Sequence, residues 1–290
     1  MATATNGILM SVANIGFEIR GEVLLQCATG FTLVNRAPMI HKLSLVIITH
    51  NAASTLAACL QSAQHLAEEI IIVDHHSHDD TVSIAKRFGA VIHSHDWLGF
   101  GPQKQLAVCL ARHHWVLCID ADEQLSPTLA ENIAATLNEP QYSVYRMARR
   151  NRFLGRYLHH GEAYPDWCTR LFDRRHAHWS EHAVHEHIMT ACPVGTLEGD
   201  LLHDSAQSLN HYLMKQNYYT NVQAEQLFRN RTKASIWRLL SSPSVRFMRY
   251  YIFKQGFRDG LAGFTHIIIG CFFAFIKYAK LREHWQKQQR

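Results

Sequence analysis

The stretch at residues 114–124 reads His-Trp-Val-Leu-Cys-Ile-Asp-Ala-Asp-Glu-Gln. Its first part, Trp115 to Ile119, is short, apolar and rich in β-branched and aromatic residues, a pattern that predicts a buried strand. Two carboxylates, Asp120 and Asp122, follow at the strand end. In open α/β sheets ligands bind beyond the carboxyl ends of the strands, and hard divalent cations prefer oxygen ligands. The pair therefore predicts a site for a metal ion and a phosphate-bearing ligand, although Asp is also common in turns.

Strands and helices alternate through the first half of the chain. Apolar runs predict strands at 43–49, 69–73, 90–93 and 115–119, and helices at 52–66, 79–88, 102–112 and from 126 onward. This alternation is typical of a mostly parallel, doubly wound α/β sheet flanked by helices. In residues 142–200 aromatic, His and Arg residues are frequent, and we expect strands and loops over the active edge of the sheet. From about Leu209 onward the pattern is helical.

A further acid follows the second predicted strand. Asp74 comes directly after that strand, as Asp120 and Asp122 come after the strand at 115–119. Strands that end in acids favour a shared binding site at one edge of the sheet. The alternative is that each acid only caps the helix that follows it.

Charge is unevenly distributed along the 290 residues. Residues 229–290 contain 13 Lys or Arg and two acids, a net charge of +11, whereas the remainder has 16 basic and 22 acidic residues, a net charge of −6. This asymmetry predicts that the C-terminal region meets membrane lipid, phosphorylated glycan or nucleic acid. No nucleic-acid reader motif accompanies it, so we expect no nucleic-acid partner. The seven scattered cysteines form no Cys-x-x-Cys pair, which favours reduced thiols in the cytoplasm.

The C-terminal region has the composition of a membrane-associating helical segment. Residues 243–258 place Arg and Lys among Phe and Tyr at helical spacing, which is typical of a helix in a membrane interface. Leu261 to Ile276 is a mostly apolar run of 16 residues, shorter than the ~20 that span a bilayer. We therefore expect peripheral attachment to anionic lipid rather than a span. The alternative is that these helices only pack on the rest of the protein.

Ordered motifs along the chain resemble those of a known enzyme family. The motifs are LVIITHN at 45–51, IIVDHHSHDDT at 71–81 and IDADE at 119–123. Together they resemble glycosyltransferase family 2, whose members have the Rossmann-like GT-A fold and transfer a sugar from a nucleotide-sugar with inversion. GFGPQK at 99–104, YPD at 164–166, RLF at 170–172 and VHE at 184–186 are similar to a narrower branch, which includes the lipopolysaccharide inner-core β-glucosyltransferases of Gram-negative bacteria. The resemblance covers roughly residues 43–280.

The chain departs from that branch in the loop after the second strand. The branch usually has Ser-Gly-Ser-Thr-Asp there, whereas this chain has His75-His76-Ser77-His78-Asp79, so that His76 stands in the Gly position. Because Gly often supplies a positive φ in a turn, His76 predicts a somewhat different nucleotide loop. Gln105 stands where the branch often has Asn.

The resemblance implies roles for residues on the donor side. Thr49, Asn51 and Asp74 would contact the uracil end of a UDP-sugar, since a carboxylate can accept the imino N–H of the base. Lys104 would be a second cation for the diphosphate, the alternative being a solvated helix lysine.

The Asp-x-Asp pair would hold the metal in a member of this family. Asp122 would bind a divalent cation, Mg²⁺ or Mn²⁺, and Asp120 would face the ribose or contribute to the same metal. Such an ion stabilises the departing UDP as a Lewis acid.

Acceptor-side residues are expected from the 150–190 segment. Inverting transfer needs a base for the acceptor hydroxyl, and the resemblance favours Glu186, with Asp166 as the second candidate. His185 would orient that carboxylate or the acceptor. Arg170 would bind a phosphate of donor or acceptor, the alternative being a structural pair with a carboxylate.

Histidines offer one further alternative. His182, His185 and His187 have a spacing that could supply zinc ligands, but no cysteine pairs with them. The simpler interpretation is that they are surface or acceptor-groove histidines.

The predicted organisation has three parts. Residues 1–40 form an N-terminal extension of uncertain structure that lacks a secretory-signal pattern, and we expect a protein without residues 1–38 to fold and to be active. Residues 41–205 form the GT-A domain, with a nucleotide-sugar half at 41–140 and an acceptor half at 141–205. Residues 206–290 form the basic, amphipathic helical region.

The predicted function is that of a metal-dependent inverting hexosyltransferase. It would use a UDP-sugar, with glucose expected, and a lipid A–core glycolipid acceptor, at the cytoplasmic face of the inner membrane. One alternative is another family 2 transfer, to a capsule or lipid-linked glycan. A second is a catalytically silent nucleotide-sugar or glycan-binding module. A nucleotidyltransferase is disfavoured because no Gly-rich phosphate loop follows the first strand.

Overall fold

The computed structural model describes residues 18–19, 22–26, 32–35, 41–181, 186–204, 208–233 and 235–288. The chain divides into two compact units, Met1–Ile40 and His41–Arg290. In the first unit the described residues form a three-stranded antiparallel sheet in the order β1-β2-β3, with β1 at Glu18–Ile19, β2 at Glu22–Gln26 and β3 at Thr32–Asn35. The dispensability of residues 1–38 stays a prediction.

The second unit is built on a nine-stranded mixed sheet. Its parallel part contains β4 (Leu43–Thr49), β5 (Glu69–Asp74), β6 (Val91–Ser94) and β7 (Trp115–Asp120). The remaining strands of this sheet are β8 (Glu123–Leu125), β9 (Val144–Phe153), β10 (Arg156–Tyr157), β11 (Asp166–Asp173) and β14 (Val194–His203). A separate two-stranded sheet contains β12 (Ala177–Trp179) and β13 (Ile188–Thr190).

The strand order is β6-β5-β4-β7-β11-β9-β14-β8, with β10 on β9. Strands β4 and β5 are buried along their whole length, as expected for central parallel strands covered on both faces. The predicted α/β class with a mostly parallel first half is confirmed. The expectation that residues 142–200 lie over the sheet edge was wrong for β9, β11 and β14, because β11 pairs antiparallel with β7 and extends the same sheet.

Three helices connect the strands of the parallel part, and a fourth connects β8 to β9. They are α1 (Leu56–Ala63, followed by a 3₁₀ turn at Gln64–Leu66), α2 (Thr81–Arg87), α3 (Phe100–Leu110) and α4 (Pro127–Asn138). Helix α4 begins where the sequence predicts it, because the Ser126 hydroxyl accepts a hydrogen bond from Leu129 N–H and Pro127 fits the first turn. Helix α1 begins later than predicted, since Thr81 and Asp79 side chains bind the backbone N–H groups of Ala52 and Ala53.

The C-terminal region is helical from Leu209, as predicted. It contains α5 (Leu209–Arg229), α6 (Ile236–Phe247), a π-helical turn (Met248–Phe253), a 3₁₀ turn (Gly256–Asp259) and α7 (Gly260–Gln288). Helices α5 and α6 both pack on α7. The Lys280 ammonium donates to the carbonyl of Asn217 at 3.0 Å and to Thr220 Oγ1 at 2.8 Å, which joins α7 to α5.

Among the described residues, one segment is long and apolar enough to cross a membrane. It runs from Gly256 to Gln288 with a mean hydropathy of 1.7 in its most apolar window. The segment meets the requirement for a span by length and composition, and 44% of that window is buried inside the protein. The segment is longer than the apolar run seen in the sequence because the helix continues past Ile276 into charged residues.

Candidate active site

A cleft of about 1000 Å³ opens at the carboxyl ends of β4 and β7. Strand β11 and the residues before β13 form its other wall. Eight of the ten residues that the sequence analysis assigns to the site line this cleft: Thr49, Asn51, Lys104, Asp120, Asp122, Asp166, Arg170 and Glu186. The fold therefore brings donor-side and acceptor-side candidates to one place. The ninth residue, Asp74, does not line this cleft. The tenth, His185, lies outside the described residues, as does His182 of the zinc alternative.

Asp74 organises the loop that follows β5. Its carboxylate accepts hydrogen bonds from Thr49 Oγ1 at 2.7 Å, Ser77 N–H at 2.8 Å and Ser77 Oγ at 2.6 Å. It is buried and lines a second, shallower pocket with His76 and His78. Asp74 thus fixes the relative positions of the loops after β4 and β5.

The histidine loop keeps a glycine-like conformation. His76 has a φ of 46°, in the left-handed region that Gly adopts without strain. Its ring lies 3.1 Å from Ser94 Oγ and 2.9 Å from Asp96 Oδ1. Asn51 also has a positive φ, and its side-chain oxygen accepts from His78 N–H at 2.9 Å. The two loops are therefore held together despite the departure from the Ser-Gly-Ser-Thr-Asp pattern.

Lys104 lies buried on the cleft floor. Its side chain is 1% exposed, and its ammonium lies 2.8 Å from Asp120 Oδ1, 2.9 Å from Glu186 Oε1 and 4.8 Å from the centroid of the Trp179 ring. Burial disfavours the charged form, but the carboxylates of Asp120 and Glu186 hold the pKa of Lys104 above its ordinary value. The alternative of a solvated helix lysine is therefore wrong.

Asp120 lies between two cations. Its Oδ1 faces Lys104, and its Oδ2 accepts from Arg170 Nη2 at 2.7 Å. Although burial favours the neutral acid, Arg170 and Lys104 hold the pKa of Asp120 well below its usual range. Both carboxylate oxygens of Asp120 are bound by protein cations, so this carboxylate links Lys104 to Arg170 on the floor of the cleft.

Glu123 and Arg149 extend this arrangement and were not singled out from the sequence. The Glu123 carboxylate is fully buried and accepts from Arg170 Nη2 at 2.7 Å, Asp120 N–H at 2.9 Å and Arg149 Nη1 at 3.3 Å. Arg149 in turn donates to Asp166 Oδ2 at 2.7 and 2.9 Å. The signal for Glu123 was its place beside the Asp-x-Asp pair.

These side chains form one continuous chain of alternating charge, which we call the charge relay of the floor. It joins the two candidate bases and contains, in order, Glu186, Lys104, Asp120, Arg170, Glu123, Arg149 and Asp166. Arg170 is buried and bonded to two carboxylates, which corresponds to the structural pairing that the sequence left open.

Asp122 differs from Asp120 in its partner, because Asp120 is held by two protein cations whereas Asp122 is paired with a histidine. The Asp122 side chain is 35% exposed, and its Oδ2 lies 3.4 Å from His203 Nε2. The other ring nitrogen of His203, Nδ1, lies 2.6 Å from Asn151 Oδ1. In the tautomer that carries its proton on Nδ1, this nitrogen donates to Asn151 and Nε2 faces Asp122 as a nitrogen able to bind a metal. Sequence reasoning missed His203 because it is one of 21 histidines without a local motif.

The donor set at Asp122 fits a divalent cation that also binds phosphate. Across the described part of the chain no group of three or more His, Cys, Asp or Glu side chains could hold a metal. Mg²⁺ is commonly bound by only one or two carboxylates together with substrate phosphates. Asp122 and His203 supply one oxygen and one nitrogen toward the cleft, which suits a site completed by substrate.

The sequence profile of glycosyl transferase family 2 matches residues 44–192, which contain the whole charge relay. The chain belongs to glycosyl transferase family 2. This result confirms the family resemblance seen in the motifs.

Relatives within the family match over most of their length. An uncharacterized glycosyltransferase of Rickettsia prowazekii is 32% identical over 260 residues, covering 86% of this chain and 89% of the relative. The lipopolysaccharide core biosynthesis glycosyltransferase LpsC of Rhizobium meliloti is 30% identical over 247 residues, covering 82% and 91%. Among solved structures, glucosyl-3-phosphoglycerate synthase of Mycobacterium tuberculosis is 21% identical over 39% of this chain and 45% of its own, with a TM-score of 0.33, an overlap too small to inform the site.

Proposed function

We propose that this family 2 transferase moves a hexose, glucose first, from a UDP-sugar to the inner core of lipopolysaccharide at the cytoplasmic face of the inner membrane. The similarity to LpsC over most of both chains supports a lipopolysaccharide core acceptor. The observation that carries the proposal is the cleft itself, where the exposed carboxylate of Asp122 stands beside the charge relay. The motifs that resemble UDP-sugar enzymes support the donor class.

Asp122 and His203 are the residues that would hold a divalent cation, Mg²⁺ or Mn²⁺. Bound there, the ion supplies Lewis-acid stabilisation of the departing diphosphate. Asp120 contributes through its pairs with Lys104 and Arg170, which fix the strand end that carries Asp122. Lys104 places a buried positive charge on the cleft floor, where charge is little screened by water.

Glu186 is the first candidate for the base that takes the proton from the acceptor hydroxyl. Its Oε1 accepts from Lys104 at 2.9 Å, which orients the carboxylate at the cleft wall. Asp166, the second candidate, is held by Arg149 at 2.7 Å and by Asn151 Nδ2 at 3.3 Å. A base is identified first by its geometry and then by its pKa. Because Glu186 and Asp166 line the same cleft, substituting each in turn is the way to tell which one is the base.

The test begins with a panel of UDP-sugars in thermal-shift experiments with Mn²⁺ or Mg²⁺, because a ligand that binds only the native state raises its stability. The stabilising sugar is then supplied with lipopolysaccharide of truncated core. We expect labelled sugar in the glycolipid and release of UDP. Transfer to a capsule or lipid-linked glycan instead would move the function to the other family 2 activity. UDP-sugar binding without transfer or hydrolysis would favour the silent module.

A further inference from the structure

An apolar stripe runs along the solvent side of α7. Five large side chains on this helix are exposed: Leu261, Phe264, Ile268, Phe272 and Phe275. Their spacings of three or four residues place them on one side of the helix. With a rise of about 1.5 Å per residue the stripe is about 21 Å long. Contiguous exposed apolar surface of this kind marks an interaction site.

Neighbouring elements add aromatic groups and positive charge. Trp237 on α6 is 82% exposed, and Phe253 and Phe257 in the turns before α7 are also exposed. Tyr251 contacts both Phe257 and Phe264, so Phe257 adjoins the stripe. Trp237 lies on the helix α6 that packs on α7. We call these three residues and the five of the stripe the outer face. Exposed cations accompany them: Arg238, Arg249, Lys254, Arg258 and Arg282.

The charge of this region is predominantly positive. Residues 235–288 contain two acids, Asp259 and Glu283. Asp259 is buried, and Glu283 is paired with Lys287 at 2.6 Å. A second copy of this chain docking face to face would therefore bring like charges together, which disfavours that partner. An anionic surface is the complementary partner.

The inner side of α7 is fixed to the rest of the protein. A Cβ at Gly263 would lie 2.5 Å from the carbonyl oxygen of Gly256, so the backbones approach closely there. Trp285 Nε1 donates to the carbonyl of Thr232 at 2.9 Å, and Lys280 is bonded to α5. Crossing a bilayer would break these contacts along the helix, whereas lying in the interface keeps them.

The same region is joined to the segment that precedes Asp166. The Asp259 carboxylate accepts from the backbone N–H groups of His159 at 2.9 Å and His160 at 2.8 Å, and Gly161 N–H donates to the Lys254 carbonyl at 2.9 Å. The outer face and the acceptor side of the cleft therefore belong to one connected structure.

We propose that the outer face docks in the plane of an anionic bilayer, with its aromatic and aliphatic side chains in the interface and its Arg and Lys side chains at the headgroups. This inference deepens the proposed function by naming the surface that meets the membrane of a glycolipid acceptor. Binding to vesicles requires neither the sugar donor nor the acceptor. The membrane-docking inference and the proposed transferase function can therefore fail independently of each other.

The test is flotation of the full chain with phosphatidylcholine vesicles with and without phosphatidylglycerol. We expect binding to the anionic vesicles that weakens with salt, and a loss of about 10-fold or more in the double variant Trp237→Ser/Phe272→Ser, since interfacial binding scales with buried apolar area. The matched control is Val91→Ser, an exposed apolar residue on β6 outside the cleft. Circular dichroism checks that each variant is folded.

A charge variant, Arg249→Gln/Arg258→Gln, should lose binding to anionic vesicles and keep its weak binding to neutral ones. Equal partitioning of the wild type and the Trp237→Ser/Phe272→Ser variant would overturn the proposal. So would a wild-type dimer in light scattering that this variant dissociates, combined with no vesicle binding. Transfer to a water-soluble core oligosaccharide reports on the proposed function alone, and we expect the outer-face variants to retain it.

Discussion

The floor of the cleft and the outer face both depart from the usual burial of apolar residues and exposure of charged ones. The floor holds seven charged side chains in the charge relay, of which Lys104, Glu123 and Arg170 are buried. The outer face instead exposes large apolar side chains to water. Buried charges and exposed apolar patches are the informative exceptions to protein burial. Ion pairs in a low-dielectric interior are weak evidence for stability, and exposed apolar surface contributes none. From this comparison we infer that each region serves binding, the floor in the cleft and the outer face at the surface.

The largest expected effect comes from removing Asp122, the carboxylate of the Asp-x-Asp pair that is not held between Lys104 and Arg170. We expect Asp122→Ala to lower turnover by about 10³-fold, as loss of a key electrostatic contact does, while the fold is unchanged because Asp122 is not part of the relay. Rates with UDP-sugar and core acceptor measure the effect. Asp80→Ala, at an exposed acid without a side-chain cap bond, is the control. A D122A enzyme with wild-type turnover would break the distinction between Asp122 and Asp120.

Removal of Glu123 tests the floor as a folded structure. Glu123→Ala removes the fully buried carboxylate that Arg170 and Arg149 share. These arginines keep their pairs with Asp120 and Asp166. The substitution should reduce the free energy of unfolding by about 3 kcal/mol, the lower end of the cost of breaking a buried pair. Glu123→Gln keeps an acceptor oxygen and should lose less. Chemical denaturation of the wild type and both variants measures this. If E123A were as stable as the wild type, the relay would not be a coupled structural unit.

The two candidate bases, Glu186 and Asp166, lie at opposite ends of the relay and can be distinguished by substituting each in turn. We expect Glu186→Gln to lower kcat by about 10²-fold or more, the usual contribution of a general base, with UDP-sugar binding retained. Asp166→Asn serves as the matched comparison and should be milder. The reverse order of effects would transfer the base role to Asp166.

The inner side of α7, unlike the outer face, contains a partly buried histidine, His266, that should make the stability of the protein depend on pH. Burial, reinforced by Arg246, lowers the pKa of His266 to about 4, below the unfolded value of about 6.5. The unfolded state therefore binds more protons between these values, and stability falls as pH decreases through this window. Because the ring is partly exposed, we expect a loss of about 1–2 kcal/mol from pH 7.5 to pH 5.

His266→Phe should remove this component while keeping a ring against Phe153 and Tyr212. His284→Phe, later in the same helix, controls for the loss of a histidine. Denaturation midpoints at the two pH values give the measurement. An unchanged pH dependence in the His266→Phe variant would contradict the assignment.

The smallest effect is expected on the outer face itself. Leu261→Ser exposes less apolar surface and removes no packing contact of consequence, since Leu261 is 77% exposed. We expect its stability in solution to lie within about 0.5 kcal/mol of the wild type. A large loss of stability would mean that the outer face supports folding and would weaken its contrast with the floor.

The sequence predicted what depends on local pattern. The buried strands, the start of α4 at Ser126 and the acids at strand ends all follow from periodicity, capping and position along the chain. The charge relay could not be predicted, because Lys104 and Glu186 are 82 positions apart. They meet because β12 contacts α3, where Trp179 N–H donates to Gln105, and pairs with β13, which begins two residues after Glu186. His203 was hidden among the other histidines. The basic aromatic composition of the C-terminal region was visible, but the face left exposed depends on how α5 and α6 pack on α7.

The most direct test of the central claim is calorimetric titration of UDP into the wild type and the Asp122→Ala variant, each with and without Mn²⁺. We expect Mn²⁺ to tighten UDP binding to the wild type by about 10-fold or more, since ligands shared with a metal are linked to it, and to have no such effect on the variant. Equal UDP affinity in all four titrations would contradict the assignment of the cleft as a metal-assisted nucleotide-sugar site.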